Sequence, residues 1–118
     1  MYVYVAGPLT SGAGRDVTTN IRAALEAANR LYEEGHYPYV PHLTHFWHFA
    51  YPDTRGHEES KWMKLDRAWL ERCEAVLRLP GVSMGANIEV GWAIELGLPV
   101  FTMVTFPWKG GLGGISHE

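Results

Sequence analysis

Apolar and polar positions along the chain follow two alternating patterns. Short apolar or β-branched runs, which are typical of buried strands, occupy residues 2–6, 37–40, 75–79 and 99–104. Between them lie segments in which apolar residues recur every three or four positions, and these predict helices over about 17–34, 58–72 and 87–96. Strands that alternate with helices predict an α/β domain: a Rossmann-like or flavodoxin-like parallel sheet of four to five strands with helices on both faces.

Two segments lack a clean period. Residues 41–56 are rich in aromatic and histidine residues, and we interpret them as a long loop that could include a helical turn. The tail, about 109–118, is rich in glycine and contains no predicted element. Because no repeat or linker interrupts the pattern, we predict that residues 1–118 form a single domain.

The composition narrows the class of protein. Of 118 residues, 47% are hydrophobic and 19% are charged, which suits a globular domain with a sizeable core. The net charge is −3 without a cluster of Lys and Arg, so polymeric nucleic acid is not an expected partner. The apolar runs are too short to span a bilayer, and because a strand is predicted from residue 2 we expect no signal peptide. The single cysteine, Cys73, cannot form an intrachain disulfide, which favours a cytoplasmic location.

The stretch from Ser83 to Glu89 joins the third predicted strand to the next helix. A hydroxyl and backbone amides at a helix N-terminus suit a phosphate, although Ser83 could equally be only an N-cap. Glu89 falls within the apolar stripe of the helix, where a carboxylate is costly unless something offsets it. An exposed first-turn acid favoured by the helix dipole is the structural alternative. That alternative leaves the apolar neighbours unexplained, so Glu89 is a candidate functional group.

Two further features are weaker on their own. The loop after the first strand, residues 7–15, is rich in glycine and hydroxyl groups and contains one cation, Arg15. It could cradle a phosphate, although it matches neither the P-loop nor the G-x-G-x-x-G pattern. Asp66, taken alone, is a structural acid that could pair with Arg67 or Lys64.

Three histidines are spaced as H-x-x-H-x-x-H, at His42, His45 and His48. Zinc needs three or four convergent ligands, but on a helix the first and third of these would diverge, and the only cysteine is remote. We therefore expect no metal site and no cofactor. One of these histidines could instead contact a base or a sugar.

Three motifs follow one another along the chain. They are Val-Tyr-Val-Ala-Gly at residues 3–7, Asp66-x-x-Trp69-Leu70, and Ser83-x-Gly85-x-x-x-Glu89-x-Gly91-x-Ala93. Together they resemble the nucleoside 2-deoxyribosyltransferase superfamily, most closely its 2′-deoxynucleoside 5′-phosphate N-hydrolase branch. The resemblance spans about residues 2–104, and the third motif is the most specific of the three.

The resemblance implies a role for each matching residue. Glu89 would be the nucleophile, Tyr4 would orient it, and Asp66 would assist near the sugar and the base. Ser83 would contact a 5′-phosphate; the nucleoside transferases have an aspartate there, whose charge would repel phosphate. The other residues implied at the phosphate are Gly7, Thr10, Ser11, Arg15 and Gly85. Those implied at the base or sugar are Pro8, His42 and Ala86.

The implied reaction is hydrolysis of the N-glycosidic bond of a (deoxy)nucleoside 5′-monophosphate through a glutamyl-glycosyl intermediate. The implied protein is a homodimer or higher homo-oligomer with a small nucleotide substrate. Two alternatives remain: a 2-deoxyribosyltransferase that exchanges bases, and a non-catalytic nucleotide sensor. Pro8-Leu9-Thr10 replaces the Ser-Ile-Arg of the hydrolases, and residues 42–60 are unusually aromatic, so the phosphate contacts and the base stay open.

Overall fold

The computed structural model describes residues 1–10, 16–55 and 60–110. Its described part contains a four-stranded parallel sheet in the order β2-β1-β3-β4, surrounded by helices. The elements are β1 (Tyr2–Ala6), α1 (Val17–Glu33), β2 (Tyr37–Tyr39), α2 (Thr44–Ala50), α3 (Lys61–Leu70), β3 (Ala75–Arg78), α4 (Met84–Glu95) and β4 (Val100–Phe101). A short 3₁₀ turn, Pro41–Leu43, precedes α2. The α/β class, the parallel sheet and the order of strands and helices are confirmed.

Alternate residues of β1 enter two different cores. Val3 and Val5 are fully buried with the alanines and Leu31 of α1, whereas Tyr4 lies in a second core with Leu70 of α3 and small residues of α4. Helices therefore cover both faces of the sheet, as the sequence predicts. Each fully buried leucine stabilises the fold by ~1.5–3 kcal/mol. The same alternation places Tyr4 on the face of the sheet that α3 and α4 cover.

The strand order determines where a ligand can bind. From β1 the chain crosses through α1 to β2 on one side, and later reaches β3 on the other side of β1. The segments that follow β1 and β3 therefore leave the carboxyl ends of these strands in different directions. This creates the crevice in which open α/β sheets bind ligands. The loop that begins at Gly7 and the loop that leads to Ser83 both start there.

The helix α4 starts earlier than its sequence pattern predicts, at Met84 instead of residue 87. Ser83 is its N-cap, and the Ser83 hydroxyl oxygen accepts a hydrogen bond from the Ala86 amide at 3.0 Å. Glu89 is consequently in the second turn. The dipole of a helix stabilises acids mainly within the first turn, so the dipole does not explain a carboxylate at this position.

Two further sequence predictions differ from the structure. Residues 44–50 form α2 and not a loop; because none of its residues is fully buried and its aromatics face outward, the segment shows no helical period of apolar positions. The strand β4 has only two residues instead of six. It ends where the Thr102 and Thr105 hydroxyls each accept a hydrogen bond from the other's backbone amide, at 3.2 and 2.8 Å, which turns the chain.

No helix within the described ranges is both long enough and apolar enough to cross a membrane.

Candidate active site

Glu89 is held by a buried tyrosine of the central strand. The Tyr4 hydroxyl donates a hydrogen bond of 2.6 Å to Glu89 Oε2, and Tyr4 itself is fully buried in β1. The pKa of Glu89 is raised to about 8, mainly by burial and also by the nearby charge of Asp66. The Tyr4 hydrogen bond and the charge of Arg78 act in the opposite direction and favour the ionised carboxylate. The sequence prediction that Glu89 needs a polar partner matches this geometry.

Asp66 is held by a second tyrosine in the same way. The Tyr39 hydroxyl donates to Asp66 Oδ1 at 3.1 Å, and burial raises the pKa of Asp66 to about 7. Tyr4 and Tyr39 are direct neighbours in the parallel register of β1 and β2, with ring centroids 5.5 Å apart. Two adjacent strands thus supply two hydroxyl groups, each to a carboxylate of a different helix.

Both carboxylates line one cavity of about 300 Å³ at the carboxyl ends of β1 and β3. Its wall contains eight of the residues expected at the site, and Tyr4 acts from behind Glu89. These eight are Gly7, Thr10, His42, Asp66, Ser83, Gly85, Ala86 and Glu89. Ser11 and Arg15 lie outside the described residues.

Pro8 does not line this cavity, contrary to expectation. It borders a different cavity, next to α1, and its carbonyl oxygen lies 3.1 Å from His42 Nε2. Because a carbonyl can only accept, His42 donates from Nε2, and burial lowers the pKa of His42, which keeps the ring neutral. His42 therefore fixes the position of the loop after β1 in addition to lining the cavity.

The loop after β1 is fastened by residues that the sequence motifs do not single out. Asn20 of α1 is buried, and its side-chain amide donates to the carbonyl oxygens of Leu9 and Thr10 at 3.1 and 2.9 Å. At Gly7, a Cβ atom would lie 3.0 Å from the Leu79 side chain, so glycine allows the loops after β1 and β3 to approach each other. A buried Asn just inside a helix, following a glycine-rich loop, is the signal that could have indicated this role.

Arg78 organises the opposite rim of the cavity. Its guanidinium donates to the Gly81 carbonyl at 3.0 Å and to Asn87 Oδ1 at 3.1 Å, and it also contacts the Leu79 carbonyl. The segment between β3 and α4 is thereby fixed to the first turns of α4. The first amides of a helix have no partner within the helix, so this rim presents hydrogen-bond donors beside Ser83 and Gly85.

The histidines of the H-x-x-H-x-x-H segment do not converge on one point: His42 and His48 have different hydrogen-bond partners. His42 bonds to Pro8, whereas the Trp62 indole N–H donates to His48 Nδ1 at 2.8 Å. Among the described residues, no group of three His, Cys, Asp or Glu side chains is arranged to hold a metal ion.

Comparisons with known proteins give a family and a fold. The model of a family described as a domain of unknown function (DUF7768) matches residues 1–103. No curated protein sequence matches. Among solved structures, a 2-deoxyribosyltransferase from Bacillus psychrosaccharolyticus is similar, with 18% identity and a TM-score of 0.60, over 86% of this chain and 71% of that one.

A 2-deoxyribosyltransferase from Leishmania mexicana is also similar, with 16% identity and a TM-score of 0.56. The match covers 86% of this chain but only 62% of the Leishmania chain. At these identities the likeness establishes the fold, which is that of the 2-deoxyribosyltransferases.

Proposed function

This chain belongs to the DUF7768 family, and we propose that it breaks the N-glycosidic bond of a nucleoside and transfers the sugar to a second base. The observation that carries the proposal is the 2.6 Å hydrogen bond from Tyr4 to Glu89 in a cavity that Asp66 also lines. Solved structures with this fold are named 2-deoxyribosyltransferases, which favours transfer over the hydrolysis that the sequence motifs suggest.

In the first step the Glu89 carboxylate attacks the anomeric carbon of the sugar. The bond from carbon to the base nitrogen breaks, its electron pair goes to the base, and a glutamyl-glycosyl ester forms through an oxocarbenium-like transition state. Protonated Asp66 donates a proton to the departing base, since its raised pKa leaves a proton available near neutral pH.

In the second step the ester is cleaved by a new nucleophile. A ring nitrogen of another base attacks the anomeric carbon, Glu89 leaves as a carboxylate, and Asp66 takes the proton that the incoming base loses. Water in place of the base would give hydrolysis by the same route. The reactive form of the pair therefore has one proton on Asp66 and an ionised Glu89. Because the pKa of Glu89, about 8, lies above that of Asp66, about 7, this form is the less populated of the two singly protonated forms.

Replacing Tyr4 with Phe tests the orienting hydrogen bond. Loss of the donor raises the pKa of Glu89 above about 8, so the rate should fall on the acid side of the pH–rate profile and the optimum should move to higher pH. If the pKa rises by one, the ionised fraction of Glu89 falls about tenfold at any pH well below the pKa. The profile of kcat/KM against pH measures this change in ionisation. The wild type should have its optimum between about pH 7, the pKa of Asp66, and about pH 8, the pKa of Glu89.

The matched control for this variant is Tyr2→Phe. Tyr2 lies on the same strand and the same face of the sheet, but at the opposite end from the cavity, and it is exposed. This variant should leave the pH profile unchanged. A profile of Tyr4→Phe that coincides with that of the wild type would remove Tyr4 from the mechanism.

A second candidate is hydrolysis of a nucleoside 5′-monophosphate. It is favoured by Ser83, Gly85 and the N-terminus of α4, which line the same cavity as Glu89 without a negative charge at the phosphate position. A sensor that only binds the nucleotide would use the same contacts, but it leaves the buried pair of carboxylates without a purpose.

One experiment separates these candidates. The protein is incubated with deoxy- and ribonucleosides and with their 5′-monophosphates, with and without a second free base, and products are resolved by chromatography. Exchange of bases on nucleosides supports transfer. Release of base only from monophosphates supports the hydrolase. Binding without any reaction supports the sensor and contradicts the proposal.

The variant Ser83→Asp sharpens the comparison. Aspartate is as good an N-cap as serine, so α4 should keep its start. Its charge should abolish activity on monophosphates and spare activity on nucleosides. Equal effects on both substrate classes would show that Ser83 does not contact a phosphate.

A further inference from the structure

The wall of the cavity beyond Asp66 is built around a histidine whose tautomer is fixed. His48 Nδ1 accepts from the Trp62 indole N–H at 2.8 Å and from the Asp53 amide at 3.3 Å. Two N–H donors can face only an unprotonated nitrogen, so the proton of the neutral ring is on Nε2. His48 lines the cavity, and with Nδ1 engaged, Nε2–H is the remaining polar group of the ring.

Trp62 is in turn positioned by the start of α3. Ser60 caps this helix by accepting from the Met63 amide at 3.2 Å, and the Asp53 carboxylate accepts from the Lys61 amide at 2.6 Å. The Asp53 carboxylate also forms a two-point ion pair with Arg55, with N–O distances of 2.9 and 2.7 Å. This carboxylate is therefore occupied and does not line the cavity.

The spacing along α3 places Trp62, and with it His48, about one helical turn from the proposed proton donor Asp66. Trp62 and Asp66 are four residues apart on one face of α3, slightly more than one turn or ~6 Å along its axis. If the sugar is held at Glu89 and Asp66 protonates the base, the far edge of the base extends toward Trp62 and His48. The inference therefore rests on the proposed function.

We propose that His48 recognises the base through Nε2–H and selects bases with an exocyclic carbonyl oxygen over their amino counterparts. A 4-oxopyrimidine or a 6-oxopurine presents an acceptor to this N–H. A 4-aminopyrimidine or a 6-aminopurine presents N–H groups, so two donors would face each other and both would lose their partners. Trp62 is a positioning residue, because it acts by fixing the tautomer of His48.

The test compares matched substrate pairs that differ in this one group. They are 2′-deoxyuridine against 2′-deoxycytidine and 2′-deoxyinosine against 2′-deoxyadenosine. The wild type should have a kcat/KM about tenfold or more higher for the oxo member of each pair. In His48→Leu, the ratio of kcat/KM for the oxo member to that for the amino member should fall close to one in both pairs, mainly because KM rises for the oxo substrates. His48→Gln, whose amide can place a donor near Nε2, should restore part of the preference.

Two further variants test the assignment of the tautomer. Trp62→Phe removes the indole donor and should weaken the preference without replacing His48. His36→Gln, which changes a histidine outside the cavity, should leave both ratios as in the wild type. An unchanged ratio in His48→Leu, or a wild type that prefers amino bases, would overturn the proposal.

A binding experiment keeps this inference separate from the proposed reaction. Free uracil, cytosine, hypoxanthine and adenine are titrated calorimetrically into Glu89→Gln and into Glu89→Gln/His48→Leu. The oxo bases should bind about tenfold more tightly than the amino bases to the first protein only. This outcome supports base recognition by His48 even if no substrate is turned over. If oxo and amino bases bound equally tightly to Glu89→Gln, base recognition by His48 would be overturned, even with the glycosyl transfer established.

Discussion

Glu89→Gln should lower turnover by roughly 10³-fold or more while the protein stays folded. An amide of the same shape can still accept the Tyr4 hydrogen bond, but it cannot form an ester with the anomeric carbon. Because folding raises the pKa of Glu89 to about 8, ionising this group opposes folding, and this penalty grows as the pH rises from the unfolded pKa toward 8. The amide lacks the penalty, so the variant should melt no lower than the wild type at pH 8. Single-turnover rates and melting curves measure the two effects.

The matched control is Glu95→Gln on the same helix. Glu95 is exposed, and its contact with Arg67 is 3.5 Å long. Exposed ion pairs contribute little to stability, so this variant should keep both the turnover and the melting temperature of the wild type. If Glu89→Gln turned over like Glu95→Gln, Glu89 would be a structural acid and the proposed mechanism would be wrong.

Asp66→Asn should lower kcat by about 10²-fold or more on natural nucleosides. Asparagine can still accept the Tyr39 hydrogen bond, so the local structure is retained, but it cannot transfer a proton to the base. The defect should shrink for a substrate whose leaving group needs no proton, such as a 4-nitrophenyl deoxyriboside. The ratio of rates for the two substrates therefore measures the acid role of Asp66 directly.

Tyr39→Phe provides the comparison for this variant. It leaves Asp66 in place but removes the donor that favours its ionised form, so the pKa of Asp66 should rise above about 7. The falling limb of the pH–rate profile should then move to higher pH. If Asp66→Asn slowed both substrates equally, Asp66 would serve to bind the sugar and would not be the acid.

The class of fold and its order of elements follow from local patterns. Each strand of the sheet is a run of apolar or aromatic residues, and α1 shows the helical period because one of its faces is buried. Gly35, with φ of 92°, stops α1 where the sequence predicts. Local propensity did not indicate α2, because its outward aromatics Phe46 and Phe49 reverse the usual link between apolarity and burial.

The sequence indicates the catalytic candidates, but it does not indicate every side chain that holds them in place. The position of a carboxylate among apolar neighbours indicates Glu89, and the family motifs indicate Tyr4 and Asp66. Tyr39 holds Asp66 only because β2 pairs in parallel with β1, and strand pairing is not a local property. The repeated pattern Tyr-x-Tyr in both strands is a trace of this pairing, visible once the sheet order is known.

Roles that depend on loops were the least predictable. The resemblance implies that Pro8 contacts the base or sugar, but its carbonyl oxygen accepts from His42, and Asn20 holds the next residue of the loop, Leu9. The hydrolase activity is implied by the family motifs, among which Ser83 distinguishes the hydrolases from the transferases, and the fold alone does not decide between hydrolysis and transfer. The predicted oligomer stays a prediction; Phe46, Phe49 and Trp69 are exposed and could be covered in it.

The central claim is that Glu89 forms a covalent bond to the sugar. A nucleoside with a 2′-fluoroarabinosyl sugar slows both chemical steps, because fluorine destabilises the oxocarbenium-like transition states, and lets a glycosyl-enzyme accumulate. Intact mass spectrometry followed by peptide mapping should find one added fluorinated sugar per chain, on the peptide that contains Glu89. The adduct should disappear when a free base is added and should be absent from Glu89→Gln. An adduct on another residue, or turnover of the natural nucleoside by Glu89→Gln at the wild-type rate, would contradict the mechanism.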